Sequence, residues 1–193
     1  ISYSIEMCSF ESENCTTLVN KAKYDDLCKT GCPNFNLKWS CPPLTPCYHD
    51  FASGHKKLYI FYLRANLDQF NYIKNDYLKV KAANSILKSR ADNFLRHMAK
   101  MYGKHISTGS CRLCKPCKLK KDMPCAHPDI MTYSFEALGM DVGALVDMCF
   151  NSPLLWYSRG NLPEYTAVVC GLLTNHDLSF DAIQMEYQRL ILL

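Results

Sequence analysis

No apolar run in this 193-residue chain reaches the roughly 18 residues that a membrane-crossing helix requires. Ile1 to Phe10 lack a basic stretch followed by an apolar core, the pattern of a secretory leader. Neither a membrane span nor secretion is indicated, and a cytoplasmic location is expected. Phosphate-binding signatures are missing too: no G-x-G-x-x-G follows a strand-like run, and no G-x4-G-K precedes Ser or Thr. A nicotinamide fold and a P-loop therefore have no support. There is no internal repeat, no low-complexity linker and no clear boundary, so residues 1–193 read as a single domain. Nor is there a long basic stripe interleaved with aromatics, which argues against a nucleic-acid surface. The formal charge of +4 needs no such partner, because the basic residues gather beside the cysteines.

Cysteine, in contrast, is abundant, with twelve in a chain that is 48% hydrophobic. A chain able to bury a core of this size does not need disulfide staples, and clustering of the thiols favours metal. The sharpest group lies in the loop 111–128: Cys111, Cys114 and Cys117 at C-x2-C-x2-C spacing, then Cys125 and Pro128. Three thiolates two residues apart converge from one loop onto a compact centre, and a distant fourth near a proline closes it, as in bacterial ferredoxin loops. An iron–sulfur cluster is the first reading and tetrahedral zinc the second, because zinc more often uses paired C-x2-C knuckles.

The second group occupies loop 28–47: Cys28, Cys32, Cys41 and Cys47, threaded through Gly31, Pro33, Pro42, Pro43 and Pro46. That density of proline and glycine predicts a rigid irregular loop without helix. Its x3, x8, x5 spacing matches no standard zinc ribbon, and Cys47 is the least certain ligand. Cys8, Cys15 and Cys170 read as small buried hydrophobes.

Elsewhere the periodicities predict strands at Ser2–Met7, Leu58–Ala65 and Thr166–Leu173, the last two adjacent. Helices are expected at Thr16–Tyr24, from Asn75 or Asp76 to a left-handed cap at Gly103, at a short stretch capped by Ser134, at another capped by Asp141, and at Phe180–Leu193. His97 and His105 flank the second cysteine loop as surface or supporting groups. The expected fold is α/β: a small sheet with flanking helices and two cysteine-rich metal-binding loops.

Several segments together resemble a family of predicted metal-binding proteins of anaerobic bacteria and archaea, a domain of unknown function. They are Cys28-x3-Cys32-Pro33, Trp39-Ser40-Cys41-Pro42-Pro43-x-Thr45-Pro46, Gly109-x-Cys111-Arg112-Leu113-Cys114-x2-Cys117, Cys125-x-His127-Pro128 and Ser134-x-Glu136-Ala137-x-Gly139-x-Asp141-Val142. The resemblance implies metal binding, of an Fe–S kind, with three cysteines in the first loop and a non-cysteine where Cys47 stands.

Three functions follow as expectations. One is a carrier with two 4Fe-4S clusters that passes electrons to an acidic redox partner across Arg112, Lys115, Lys118, Lys120 and Lys121. A second is an Fe–S enzyme using an open iron at the first centre for sulfur abstraction, dehydration or reduction, with Glu136, Asp141, His127 and Tyr133 as acid–base candidates. Helix-start electrostatics and capping explain Glu136 and Asp141 equally well. The third is a structural zinc module. The second loop then reads as the closed relay or stabilising centre, and any chemistry falls to Cys28, Cys32 and Cys41.

Overall fold

The computed structural model describes residues 1–191. Four strands, β1 (Ser4–Glu11), β2 (Lys57–Asn66), β3 (Gly103–Ile106) and β4 (Tyr165–Thr174), form one sheet in the order β1-β2-β4-β3. Every neighbouring pair is antiparallel. The α/β fold expected from the sequence is what forms, and β2 and β4 are the two central strands the apolar runs predicted.

Alternation along β2 explains the layers. Tyr59, Phe61 and Leu63 pack on one face with Leu87, Phe94, Leu95 and Met98 of α3 (Asp76–Tyr102) and Ile183 and Tyr187 of α5 (Phe180–Ile191). Leu58, Ile60 and Tyr62 pack on the other with Tyr48, Phe135, Leu138 and α4 (Val142–Phe150). A strand buried on both faces has to be apolar at every position, which is why β2 is a continuous apolar run rather than an alternating one. The side holding Tyr48 and Phe135 also carries the segments that lead into and out of the cysteine loops. Gly171 of β4 makes room there, since a Cβ at that position would stand 2.8 Å from the Phe135 ring.

The expected boundaries shift where tertiary pairing overrides local propensity. β1 runs to Glu11 because its partner β2 continues to Lys57. The helix expected at Thr16–Tyr24 is instead a 3-10 segment, Ser12–Leu18, followed by α1 (Lys21–Gly31). Val19 bridges to Met140, which holds the chain extended between them, and the Asn20 side chain caps α1 by accepting from the Lys23 N–H at 3.1 Å. Cys28 therefore lies in the last turn of a helix, and the irregular loop begins only at Cys32. A five-residue helix, α2 (Tyr48–Ala52), follows that loop.

Asn75 caps α3 as expected, accepting from the Leu78 N–H at 3.0 Å. Gly103 ends it, but with φ 157° and ψ −129° rather than in the left-handed helical region. The chain passes directly into β3, and a Cβ at Gly103 would sit 2.1 Å from the Leu173 carbonyl oxygen. The stretch after Ser134 is a run of turns between bridges at Ser134 and Met140, not a helix. The expected end of the last helix, Leu192 and Leu193, lies outside the described residues. Among the described residues no helix is long and apolar enough to cross a membrane.

Candidate metal centre

Cys28, Cys32 and Cys41, at the end of α1 and in the proline-rich loop, lie near enough to influence one another's ionisation. Burial first, and then the neighbouring Cys32, Glu136 and Cys41, raise the Cys28 thiol to about 11. Cys41 is only 5% exposed. Its thiol is raised by burial first, while a contact with the Ser40 hydroxyl lowers it. Cys32 disfavours ionisation of both Cys28 and Cys41, and Cys41 that of Cys28, so a cation beside them is what would favour the thiolate forms, because a metal inverts that electrostatic logic. The donor set fits a metal on these chemical grounds.

Both ends of this loop are held by one segment, Ser134–Asp141. The Asn20 N–H donates to the Gly139 carbonyl at 2.7 Å and the Asp141 N–H to the Leu18 carbonyl at 2.9 Å, fixing the entry to α1. On the exit side the Thr45 hydroxyl donates to the Ala137 carbonyl at 2.6 Å and the Tyr48 N–H to the Leu138 carbonyl at 2.9 Å. Gly139, with φ +87°, lies so close to α1 that a Cβ would come within 2.6 Å of the Lys21 Cα. Only glycine fits both demands.

Cys111, Cys114, Cys117 and Cys125 all line one narrow cavity, with Trp39, Ser40 and His127 at its walls. These four are half-buried rather than buried. Cys111 is raised by burial and, less strongly, by Cys125 and Cys114, while a backbone hydrogen bond to Leu113 and the charge of Arg96 lower it. Four thiols around one space suit a four-thiolate centre. Among the described residues, no group of three or more His, Cys, Asp or Glu side chains is gathered closely enough to hold a metal ion.

Three consecutive side chains of the first loop tie the two groups together. Lys38 Nζ donates to the Ser110 hydroxyl at 3.0 Å and to the Cys111 carbonyl at 2.9 Å. Trp39 Nε1 donates to the Met123 carbonyl at 3.1 Å. The Ser40 hydroxyl accepts from the Cys111 N–H at 2.9 Å.

A polar stripe on α3 supports the second loop from beneath. Asp92, 7% exposed, accepts from the Thr108 N–H and hydroxyl at 3.3 and 3.1 Å and pairs with Arg112 at 2.9 Å. Lys88 lies against Gly109, and burial followed by the Arg112 charge lowers its amine. Arg96, one turn beyond Asp92, adds its charge to the surroundings of Cys111 and His105. Lys88, Asp92 and Arg96 recur every four residues, a spacing visible in the sequence, yet charges at that spacing ordinarily mark a solvated helix face.

The remaining candidates are distributed unevenly. Glu136 sits among Cys28, Tyr24 and Lys88, close enough to bias all three ionisations. Asp141 caps α4, accepting from the Ala144 N–H at 3.0 Å, and that bond holds its carboxyl below the ordinary value. His127 is exposed at the rim of the four-thiol cavity. Tyr133 packs edge-to-face on Phe51 at 5.3 Å, its hydroxyl raised by burial and by nearby Cys125. Cys47 occupies the N-cap position of α2, and none of the couplings among Cys28, Cys32 and Cys41 reaches it. His97 bonds Glu186 at 2.6 Å on the α5 side. Arg112 is engaged by Asp92, while Lys115, Lys120 and Lys121 remain exposed. Cys15 and Cys170 are buried as expected; Cys8 is half-buried and hydrogen-bonded to Cys149.

No curated protein and no solved structure matches the chain. A family described as Predicted metal-binding protein (DUF2284) matches residues 14–173, a span that includes both cysteine loops and the Ser134–Asp141 segment.

Proposed function

We propose iron–sulfur redox chemistry for a chain that belongs to the predicted metal-binding family DUF2284: one 4Fe-4S cluster in each cysteine loop, with electrons passed to a partner enzyme. The observation that carries the reading is the lining of one cavity by Cys111, Cys114, Cys117 and Cys125, a thiol set whose C-x2-C-x2-C run is more typical of clusters than of zinc. When bound, such a cluster supplies a reversible one-electron couple. The chain's own residues position it and set its surroundings. Cys111 is held at its N–H by Ser40 and at its carbonyl by Lys38. Arg96, Arg112 and Lys88 supply positive charge at the base of the second loop, which favours the reduced, more negative state. Exposed Lys115, Lys120 and Lys121 offer an acidic partner a docking face.

Anaerobic purification followed by iron and acid-labile sulfide analysis tests the reading. Expected is a brown protein with four irons and four sulfides per loop and signals that appear and vanish reversibly in a redox titration. A colourless protein with stoichiometric zinc would instead support the structural module, and clusters that cannot be cycled would remove the carrier role.

The N-cap position of Cys47 on α2, together with the resemblance that expects a non-cysteine there, favours a second reading for the first loop: three protein thiolates and one iron open to an external ligand. Glu136, beside Cys28, is then the residue placed to hold or move a proton there, whereas Asp141 is engaged as a cap. Titrating the reduced protein with a small thiolate distinguishes the cases, since only an open site changes its low-temperature spectrum.

A further inference from the structure

A cavity of about 630 Å³ lies beside the second cysteine loop, bounded by the C-terminal half of α3, β3, α2 and the segment Pro128–Tyr133. This volume falls within the range of small-molecule sites. Among the described residues two buried side-chain polar atoms have no hydrogen-bond partner, Arg96 Nε and His105 Nε2. Both residues line this cavity. A buried polar group left without a partner costs about 1–3 kcal/mol; these two atoms are closed off from solvent, so the groups that a ligand in the cavity meets are the terminal nitrogens of Arg96 and the Lys100 and Lys104 amines. His105 is 7% exposed. Burial first, and the Arg96 charge second, hold its imidazole near 4, so it is neutral at neutral pH. The charged lining is then Arg96, Lys100 and Lys104 against Asp50 and Asp129, an excess of one positive charge. That matches a monoanion better than a phosphate dianion. The apolar part of the lining includes Phe51, Ile130 and Met131, with Lys104 lying 5.3 Å from the Phe51 ring centroid.

We propose that this cavity binds a small carboxylic acid with an aromatic or branched apolar body, its carboxylate taken by Arg96 and Lys100 and its body by Phe51, Ile130 and Met131. The place is adjacent to the second centre without belonging to it. Arg96 also stands near Cys111, and Tyr133, on the cavity wall, near Cys125. A bound acid would thus be held against the loop that carries the four-thiol set.

Titration calorimetry on the full chain, purified anaerobically with its metal, tests the site using benzoate and its neutral counterpart benzamide. Benzoate is expected to bind, with benzamide at least about tenfold weaker. Arg96→Gln should weaken benzoate by about tenfold or more, and Lys100→Gln, at an exposed position that the fold tolerates, by about threefold. Metal content measured on the same samples separates this result from the identity of the clusters. The proposal is overturned by the absence of benzoate binding to folded protein at about 10 mM, by equal affinities for benzoate and benzamide, or by wild-type benzoate affinity in every variant that folds.

Discussion

The two cysteine loops differ in what holds them. The first starts on a helix, buries Cys41, and is hydrogen-bonded at entry and exit by Ser134–Asp141, itself packed into the core through Phe135 and Leu138. The second is half-exposed; its anchors are Asp92 beneath it and the Lys38–Ser40 side chains beside it. The framework of the first exists through packing of the chain alone. Between Leu113 and Pro124 the second has fewer ties to the core, so on the proposed reading its thiols would depend more on the metal that joins them. If each loop holds a metal as proposed, its removal should leave the first loop's framework in place and loosen the second.

The largest effects should come from the ligands themselves. Cys114→Ser is expected to remove about half of the iron and sulfide with the circular dichroism of the core unchanged, whereas Cys41→Ser should remove the other half and also lower thermal stability. Equal loss of stability in the two variants would erase the distinction drawn above. Cys47→Ser, by contrast, should leave iron content unchanged if the first centre has three protein thiolates.

Next in size is Gly139→Ala, which adds a Cβ 2.6 Å from the Lys21 Cα at φ +87°. It should cost about 3 kcal/mol or more and strip the first centre before the second, as followed by iron content during a denaturant titration. Asp92→Asn removes the charge facing Thr108 and Arg112 at an expected cost of about 2 kcal/mol. Its signature is faster proteolysis within residues 112–124 while the first centre keeps its metal. The smallest effect is Asp141→Ala: loss of the α4 cap should cost about 1 kcal/mol with both centres loaded. A wholesale loss of iron there would show that Asp141 does more than cap.

Much of this was legible before the coordinates. The apolar run Leu58–Ala65 announced a strand covered on both sides, the Asn75 cap and the spacing Ala83, Leu87, Ala91, Phe94 announced α3, and C-x2-C-x2-C announced the four-thiol lining. What escaped depends on partners distant in sequence. Proline and glycine crowd the C-terminal side of Cys28 and predict an irregular loop there, yet Asn20 and the clamp at Gly139 start a helix that carries it. β3 is four residues long and is defined only by its pairing with β4. Asp92 and Arg96 resemble a solvated helix face until the loop that covers them is in place, and nothing local foretells that His105 ends buried with an unpartnered nitrogen.

The hydrogen bond from the Cys111 N–H to Ser40 has a consequence for how the two centres would communicate. Ser40 is bonded directly to Cys41, so a route from one candidate ligand to the other crosses the Ser40 side chain, a single 2.9 Å hydrogen bond and the Cys111 backbone. Two clusters joined in this way would share an electron through the protein interior, so that one reduced at the exposed loop could charge the buried one.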